Sequence, residues 1–258
     1  MAGTWTNRAI GAEVDVSGAG ATSITPTITS TTQGDTIIAC LGTAATTGGG
    51  QTFWTPPAGG WQQAGWVWDG TTTQTDIWYL SNVPSGQTSY TFTITAGVAH
   101  TIRSTVASFT NSQGVGYRQT YQTDLGTNSS TATGTSLAVT TAGTAQTNNL
   151  FIAAYTFDLS GNSTAPTWTT PVGFSIITTG SASALMHGFF YGLSTVAGVN
   201  TITGSESGVS ATARTGVCAT FNANNPGPIA VPGQNLSGGY AGSNIGSVGQ
   251  GIPTASIW

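Results

Sequence analysis

Charged residues are scarce in this chain of 258 residues. They make up 5% of the sequence, lysine is absent, and the basic residues are four arginines. With a formal net charge of -4, the chain offers no basic surface from which phosphate binding would release counterions. We therefore expect no nucleic-acid partner and, for the same reason, no binding to an anionic membrane surface.

Long apolar runs are also missing. No segment reaches the roughly 18 apolar residues that a membrane-spanning helix needs. The first residues, MAGTWTNRAIGAEVD, lack the basic and apolar regions of a signal peptide. These absences predict a chain that is made in the cytoplasm and does not enter a membrane.

Cysteine is limited to Cys40 and Cys218, each in an apolar run. We favour two buried free thiols, and a single bridge between them remains the alternative. Two cysteines in a chain of this length exclude a disulfide-rich scaffold.

The residues that are abundant favour β-structure. The chain has 37 glycines, 8 tryptophans and many threonines, and β-branched and aromatic side chains suit the pleated surface of a sheet. In SYTFTIT, for example, Tyr90, Phe92 and Ile94 alternate with Thr91 and Thr93. Turn clusters such as TTQGD and VPSGQ separate the runs at short spacing. The sequence therefore predicts an all-β protein.

The chain also repeats itself at a shift of about 113 residues. FWTPPAGGW from residue 53 resembles TWTTPVGF from residue 167, and four more pairs match: TSI (22) with TSL (135), DTIIACLG (35) with NLFIAAYT (149), TIT (93) with TIT (201), and RSTVASFTN (103) with RTGVCATFN (214). We predict two tandem antiparallel β-sandwiches, jelly-roll or Ig-like, related by internal duplication. Residues 1–112 form the first half and residues 113–223 the second. The first 20 residues are expected to supply an edge strand.

Residues 224–258 are predicted to form an extended C-terminal arm. They contain no charged residue, four prolines and eight glycines, and such a segment has too little apolar surface to fold alone. We expect the arm to lie on its own sandwiches, on a neighbouring copy or on another protein. Its candidate contact residues are Tyr240, Ile245, Ile257 and Trp258.

The sequence holds few groups that could catalyse a reaction. His100 and His187 are the two histidines, neither belongs to a nucleophile elbow, and we interpret both as structural or surface residues. Glu13 and Asp15 are close in sequence, but the alternation of a strand suggests a shared solvent face rather than the paired carboxylates of a glycoside hydrolase. We therefore predict that the chain has no catalytic residue and is not an enzyme.

Metal and cofactor motifs are missing as well. Asp69 and Asp76 flank the segment DGTTTQTD. A shared calcium ion is one interpretation of the pair, and turn geometry is the one we favour. We expect no metal and no cofactor.

Trp66 and Trp68 are the candidate binding residues of the sandwiches. Five of the eight tryptophans lie between residues 54 and 78. Three of them match an aromatic residue of the second half, whereas Trp66 and Trp68 match Thr179 and Ser181. Two residues apart on a strand, they share one face. They complete a core or the seam between the halves, or anchor a protein interface, or stack on a sugar ring of a glycan.

Each half resembles a β-sandwich module of the virion proteins of tailed bacteriophages, especially minor tail and surface proteins of phages that infect actinobacteria. The resemblance rests on GDTIIACLGT, TPPAGGW, IWYLSNVPSGQTSYTFTI and RSTVASFTN, and on their counterparts in the second half. It implies a non-enzymatic structural component of a virion, either a minor tail protein or a capsid decoration protein. Its partners would be other virion proteins and copies of itself, and it would be assembled in the host cytoplasm and released by lysis.

The alternative function is a carbohydrate-binding or adhesin module that contacts a glycan of the host surface. Under that alternative, Trp66 and Trp68 are exposed to solvent.

Overall fold

The computed structural model describes residues 5–45, 50–94, 100–111, 119–143, 149–159, 167–182, 185–193, 198–208 and 210–224. These residues form seventeen β-strands and no helix, which confirms the predicted all-β class. The part of the chain so described therefore holds no helix long and apolar enough to cross a bilayer. The arm residues Tyr240, Ile245, Ile257 and Trp258 lie outside the described ranges.

Nine strands lie in the first half, with these bounds: β1 Trp5–Ile10, β2 Val14–Ala21, β3 Ser23–Ile24, β4 Thr36–Ala45, β5 Trp54–Thr55, β6 Gln62–Trp68, β7 Thr73–Leu80, β8 Phe92–Ile94 and β9 His100–Asn111. They form two antiparallel sheets. The larger sheet has the order β1-β9-β4-β7-β6, with β2 also paired to β9, and the smaller sheet has the order β3-β8-β5. The N-terminal segment is therefore an edge strand, as predicted.

Eight strands lie in the second half: β10 Gln119–Ser130, β11 Ser136–Thr140, β12 Leu150–Asp158, β13 Thr167–Thr169, β14 Phe174–Ala182, β15 Leu185–Leu193, β16 Thr201–Ser207 and β17 Ala213–Asn224. The larger sheet has the order β10-β17-β12-β15-β14 and the smaller one the order β11-β16-β13. No sheet of the described residues mixes strands from the two halves.

The four sheets enclose three buried clusters. Alternation along β7 explains how one strand serves two of them: Trp78 and Leu80 belong to a cluster with the small sheet of the first half, while Ile77 and Tyr79 belong to a cluster shared by the two large sheets. In the shared cluster the ring of Tyr79 lies 5.2 Å from that of Phe221. The two sandwich-like halves thus belong to one compact unit, Met1–Pro226.

The strand orders of the halves correspond, except that β1 and β2 both pair with β9 where β10 alone pairs with β17. A close backbone approach also recurs in the two halves. A Cβ atom on Gly11 would overlap the carbonyl oxygen of Thr27, and one on Gly126 would overlap that of Thr140. The two glycines are 115 residues apart (126 − 11) and the two threonines are 113 residues apart (140 − 27), close to the shift of the sequence repeat. The duplication itself stays a prediction, and these matching features agree with it.

The match between the two Thr-Ile-Thr triplets is wrong. Thr93 pairs with Ser23, whereas Ser136, the residue that matches Ser23, pairs with Ser205. Strand β8 therefore corresponds to a part of β16 that begins after Thr201. The two identical triplets were matched incorrectly because the alternation of threonine with apolar residues fits several registers of a strand.

The two cysteines are free and buried, as we favoured. Cys40 belongs to the cluster between the large sheets, and Cys218 to the inner cluster of the second half. Burial raises the pKa of both thiols, that of Cys218 to about 12, so neither forms a thiolate readily.

Candidate functional site

Trp66 lies on β6, the last strand of its sheet, with 40% of its surface exposed. Its neighbour Val67 points the other way and packs on the core between the halves. The interpretation of Trp66 as a core or seam residue is therefore wrong, because the strand turns the smaller side chain to the seam. Trp68 is half-buried, and its indole Nε1 is buried with no hydrogen-bond partner among the described residues.

A cavity of about 220 Å³ opens beside Trp66. Phe53, 56% exposed, contributes a second aromatic surface. Behind these two, Trp78 forms part of the wall, and its Nε1 is buried without a hydrogen-bond partner in the part of the chain described. Among the described residues, the lining consists of Gln51, Thr52, Phe53, Trp54, Gln63, Trp66 and Trp78.

A buried carboxylate supports this cavity from below. Asp76 is completely buried and is the cross-strand neighbour of Trp66. Its Oδ1 accepts a hydrogen bond from Gln63 Nε2 at 2.8 Å. Its Oδ2 accepts one from Trp54 Nε1 at 3.2 Å and one from Gln74 Nε2 at 2.8 Å. Asp76 therefore orients two side chains of the cavity wall, those of Trp54 and Gln63.

Gln74 fixes the other side of the cavity. Its Oε1 accepts a hydrogen bond from the backbone N–H of Thr52, and its Nε2 donates to the Thr52 carbonyl oxygen, both at 2.8 Å. The side-chain amide thus pairs with the backbone as a neighbouring strand would. The segment that carries Gln51 and Phe53 is held to β7 in this way.

Burial raises the pKa of Asp76 from 3.8 to about 7, and the hydrogen bonds from Gln74, Gln63 and Trp54 oppose the rise. Desolvation disfavours the charged form, whereas donors stabilise it. The carboxyl group therefore titrates near neutral pH. Its three donors come from side chains that also shape the cavity, so its charge and the cavity are linked.

The second half has no such arrangement at the corresponding positions. Asp76 pairs with Leu41 of β4, and Gly188 pairs with Tyr155 of β12, the residue that matches Leu41 in the sequence alignment. A Cβ atom on Gly188 would lie 2.7 Å from the Trp168 ring. That ring packs against Phe190 at 5.7 Å, so an aromatic cluster fills the space.

The pair Asp69 and Asp76 does not share a site. Asp69 Oδ1 accepts hydrogen bonds from the backbone N–H groups of Thr71 and Thr72 at 2.7 and 2.8 Å, which is the turn geometry we favoured. Asp76, however, lies inside β7 rather than in the turn. Among the described residues no three His, Cys, Asp or Glu side chains form a group that could hold a metal ion.

Glu13 and Asp15 do not simply share a solvent face. Both carboxylates form ion pairs with Arg103, a residue that is 3% exposed, and Asp15 is its cross-strand neighbour. Asp15 is exposed and Glu13 is half-buried, so both keep contact with solvent. What the expectation missed is that pairing of β2 with β9 brings the acidic side chains to the arginine. The sequence separation of about ninety residues concealed this contact.

His187 is fully buried, and its Nδ1 lies 3.5 Å from Thr156 Oγ1. Burial first, and then the charge of Arg103, lower its pKa to about 3. It is a neutral core residue, in line with the structural role we expected. The side chain of His100 lies outside the described residues.

Sequence reasoning missed Gln63, Gln74, Phe53 and the role of Asp76. One signal was available: the alternation that turns Trp78 and Leu80 inward also turns Gln74 and Asp76 inward. Two polar residues in the inward phase of a strand indicate a buried polar cluster.

Comparisons of the chain with protein-family models, with curated proteins and with solved structures find no match.

Proposed function

We propose that this chain is a non-enzymatic structural component of a tailed-phage virion, either a minor tail protein or a capsid decoration protein. It acts through protein–protein contacts with other virion proteins and with copies of itself. The resemblance of both halves to virion sandwich modules motivates the proposal. The virion would be its final location, reached by assembly in the host cytoplasm and release by lysis.

The use of the few charged residues supports this proposal best. Arg103 binds Glu13 and Asp15, and Arg8 binds Asp35 with an N–O distance of 3.0 Å. Arg214 donates to backbone carbonyl oxygens, including that of Ala132 at 2.6 Å. Charge in these places holds segments of a rigid body together, which is what a structural subunit needs.

Removal of residues 225–258 from the encoding phage tests the proposal. The truncated chain is expected to be absent from purified particles, because the arm is the segment we expect to bind neighbouring subunits. As a control, purified chain 1–224 should keep the thermal unfolding midpoint of the full chain. Normal incorporation of a truncated chain would contradict the role of the arm, and absence of the full chain from particles would contradict the virion role.

A second function, contact with a host-surface glycan, is favoured by one observation. Two aromatic side chains, Trp66 and Phe53, are 40% and 56% exposed on the same cavity. Electrophoresis through gels that contain dextran, mannan or arabinogalactan tests this function. Retarded migration in at least one gel supports it, and unchanged migration in all of them counts against it.

A further inference from the structure

We propose that the cavity between Trp66 and Phe53 binds one neutral pyranose ring, with the ring's C–H face on Trp66 and its hydroxyl groups on the amides of Gln51 and Gln63. This inference rests on the second function above, contact with a glycan. It goes further in naming the site, the size of the ligand and its charge.

The aromatic surfaces support a ligand with an apolar face. Within the described residues no other ring packs against Trp66, which is 40% exposed. The face of an aromatic ring carries partial negative charge and attracts weakly positive C–H groups. A pyranose ring presents such C–H groups on one face and hydroxyl groups around its edge.

The polar groups of the cavity suit those hydroxyl groups. Gln63 is exposed and uses one N–H on Asp76. A primary amide has a second N–H and a carbonyl oxygen, so it can both donate to and accept from a hydroxyl group. Gln51 is half-exposed on the same wall and offers the same combination.

The charges of the cavity exclude ionic ligands. None of the arginines that the structure describes lines it and the chain has no lysine, so an anion finds no cation among these residues. The carboxylate of Asp76 is completely buried behind the wall and accepts hydrogen bonds from three side chains, so it is not available to a cation. A neutral ligand remains.

The size of the cavity limits the ligand to one ring. Pockets that enclose drug-sized molecules measure about 300–1,000 Å³, and this cavity measures about 220 Å³. The rest of a glycan would extend into solvent.

The cavity is built before any ligand arrives. Gln74 holds the Thr52 backbone through two hydrogen bonds, and Asp76 holds Gln63 and Trp54. Fixed side chains lose little freedom when a ligand binds. Gln74 and Asp76 are therefore positioning residues rather than ligand contacts.

The test uses the full chain with methyl glycosides of glucose, mannose, galactose, arabinopyranose and N-acetylglucosamine. Irradiation of the aromatic protons should transfer saturation to the C–H protons of at least one of them. Trp66→Ala should weaken binding about tenfold or more, and Phe53→Ala should weaken it to a smaller extent. Ile176→Ala, which removes an exposed apolar side chain at the β14 position that corresponds to Gln63, should leave binding unchanged.

Two other results distinguish a failure of this binding site from a failure of the proposed contact with a glycan. Retention by a polysaccharide gel that Trp66→Ala and Phe53→Ala both leave intact would overturn this site and keep glycan contact elsewhere on the chain. No retention in any gel, together with no saturation transfer from any glycoside, would overturn both. Each variant is first compared with the wild type by thermal unfolding, and the Phe53 variant decides if the Trp66 variant does not fold.

Discussion

The two halves have the same order of strands in their sheets but differ in chemistry at two inward positions of one strand of the large sheet. In the first half, β7 turns Gln74 and Asp76 toward the small sheet, where they bind Thr52, Gln63 and Trp54. In the second half, β15 turns Met186 and Gly188 to the corresponding positions, and Met186 belongs to a buried aromatic cluster. At these two positions, one backbone arrangement thus accommodates either buried polar side chains beside an open cavity or apolar packing against aromatic rings.

The halves also differ in how the stability contributed by their buried titratable groups changes with pH. Asp76 has a raised pKa, so the folded state binds its proton more tightly than the unfolded state, and stability falls as the pH rises. His187 has a lowered pKa, so the folded state binds its proton less tightly, and stability falls as the pH drops. The two effects oppose each other between about pH 4 and pH 6.5.

Gly188→Asp gives the second half the residue that the first half has at this position, and it should reduce stability more than the other substitutions we propose. The new Cβ would meet Trp168 at 2.7 Å, and the carboxylate would be buried without the amide donors that Asp76 has. We expect a loss of at least about 4 kcal/mol of stability, measured by urea unfolding. Ser175→Asp, on an exposed position of β14, should change stability by about 0.5 kcal/mol or less. A Gly188→Asp protein as stable as wild type would show that the two cores are interchangeable.

Asp76→Asn replaces the buried carboxyl group of the first half with an amide that does not titrate. Wild-type stability from this group is complete below about pH 4 and is lost as the pH rises through about 7. The rise of the Asp76 pKa from 3.8 to about 7 corresponds to about 4 kcal/mol. The free energy of unfolding of the variant minus that of the wild type should therefore increase by about this amount between pH 4 and pH 8. The subtraction cancels the contribution of His187, and a difference that does not change with pH would refute the prediction.

Gln74→Met gives the first half the residue of the second. It leaves the buried N–H and C=O groups of Thr52 without their partners and takes one donor from Asp76. We expect a loss of about 3 kcal/mol, with faster hydrogen exchange at the Thr52 amide. The conservative variant Met186→Leu should cost less than about 1.5 kcal/mol. Unchanged protection at Thr52 would mean that Gln74 does not hold this segment.

Trp66→Ala should have the smallest effect on stability. The side chain is 40% exposed and belongs to none of the buried clusters of the described residues, so we expect a loss of about 2 kcal/mol or less. Thermal unfolding measures it, with Ile176→Ala, 38% exposed, as the matched variant of the second half. If the variant instead lost several kcal/mol of stability, Trp66 would be a core residue and the cavity would lose its support as a binding site.

The strands of the fold could be predicted from local patterns. The alternation of Tyr90, Phe92 and Ile94 with threonine predicted a half-buried strand, and all three apolar side chains are in one cluster. The edge position of the first strand also followed from the repeat. Registers were harder: the Thr93 match failed because a strand with a two-residue period fits its partner in several ways.

The candidate site could be predicted in part. Trp66 was singled out because the second half has threonine in its place, and it is exposed on a cavity. The partners of that cavity were missed, since Gln63, Gln74 and Trp54 reach Asp76 from three different strands. Asp76 itself was assigned to a turn because the polar segment DGTTTQTD, which it ends, begins with the Asp-Gly pair that is typical of turns.

The sequence alone determined that this protein is built from short strands, with few charges and with two similar halves, because composition and two-residue periodicity act locally along the chain. Only the tertiary structure decided that the halves share a buried core, that Arg103 gathers Glu13 and Asp15, and that Asp76 lies under a cavity beside Trp66. The contacts of Arg103 and of the shared core join residues far apart in the chain. The energies of all these contacts depend on the exclusion of water, which exists only once the sheets have packed.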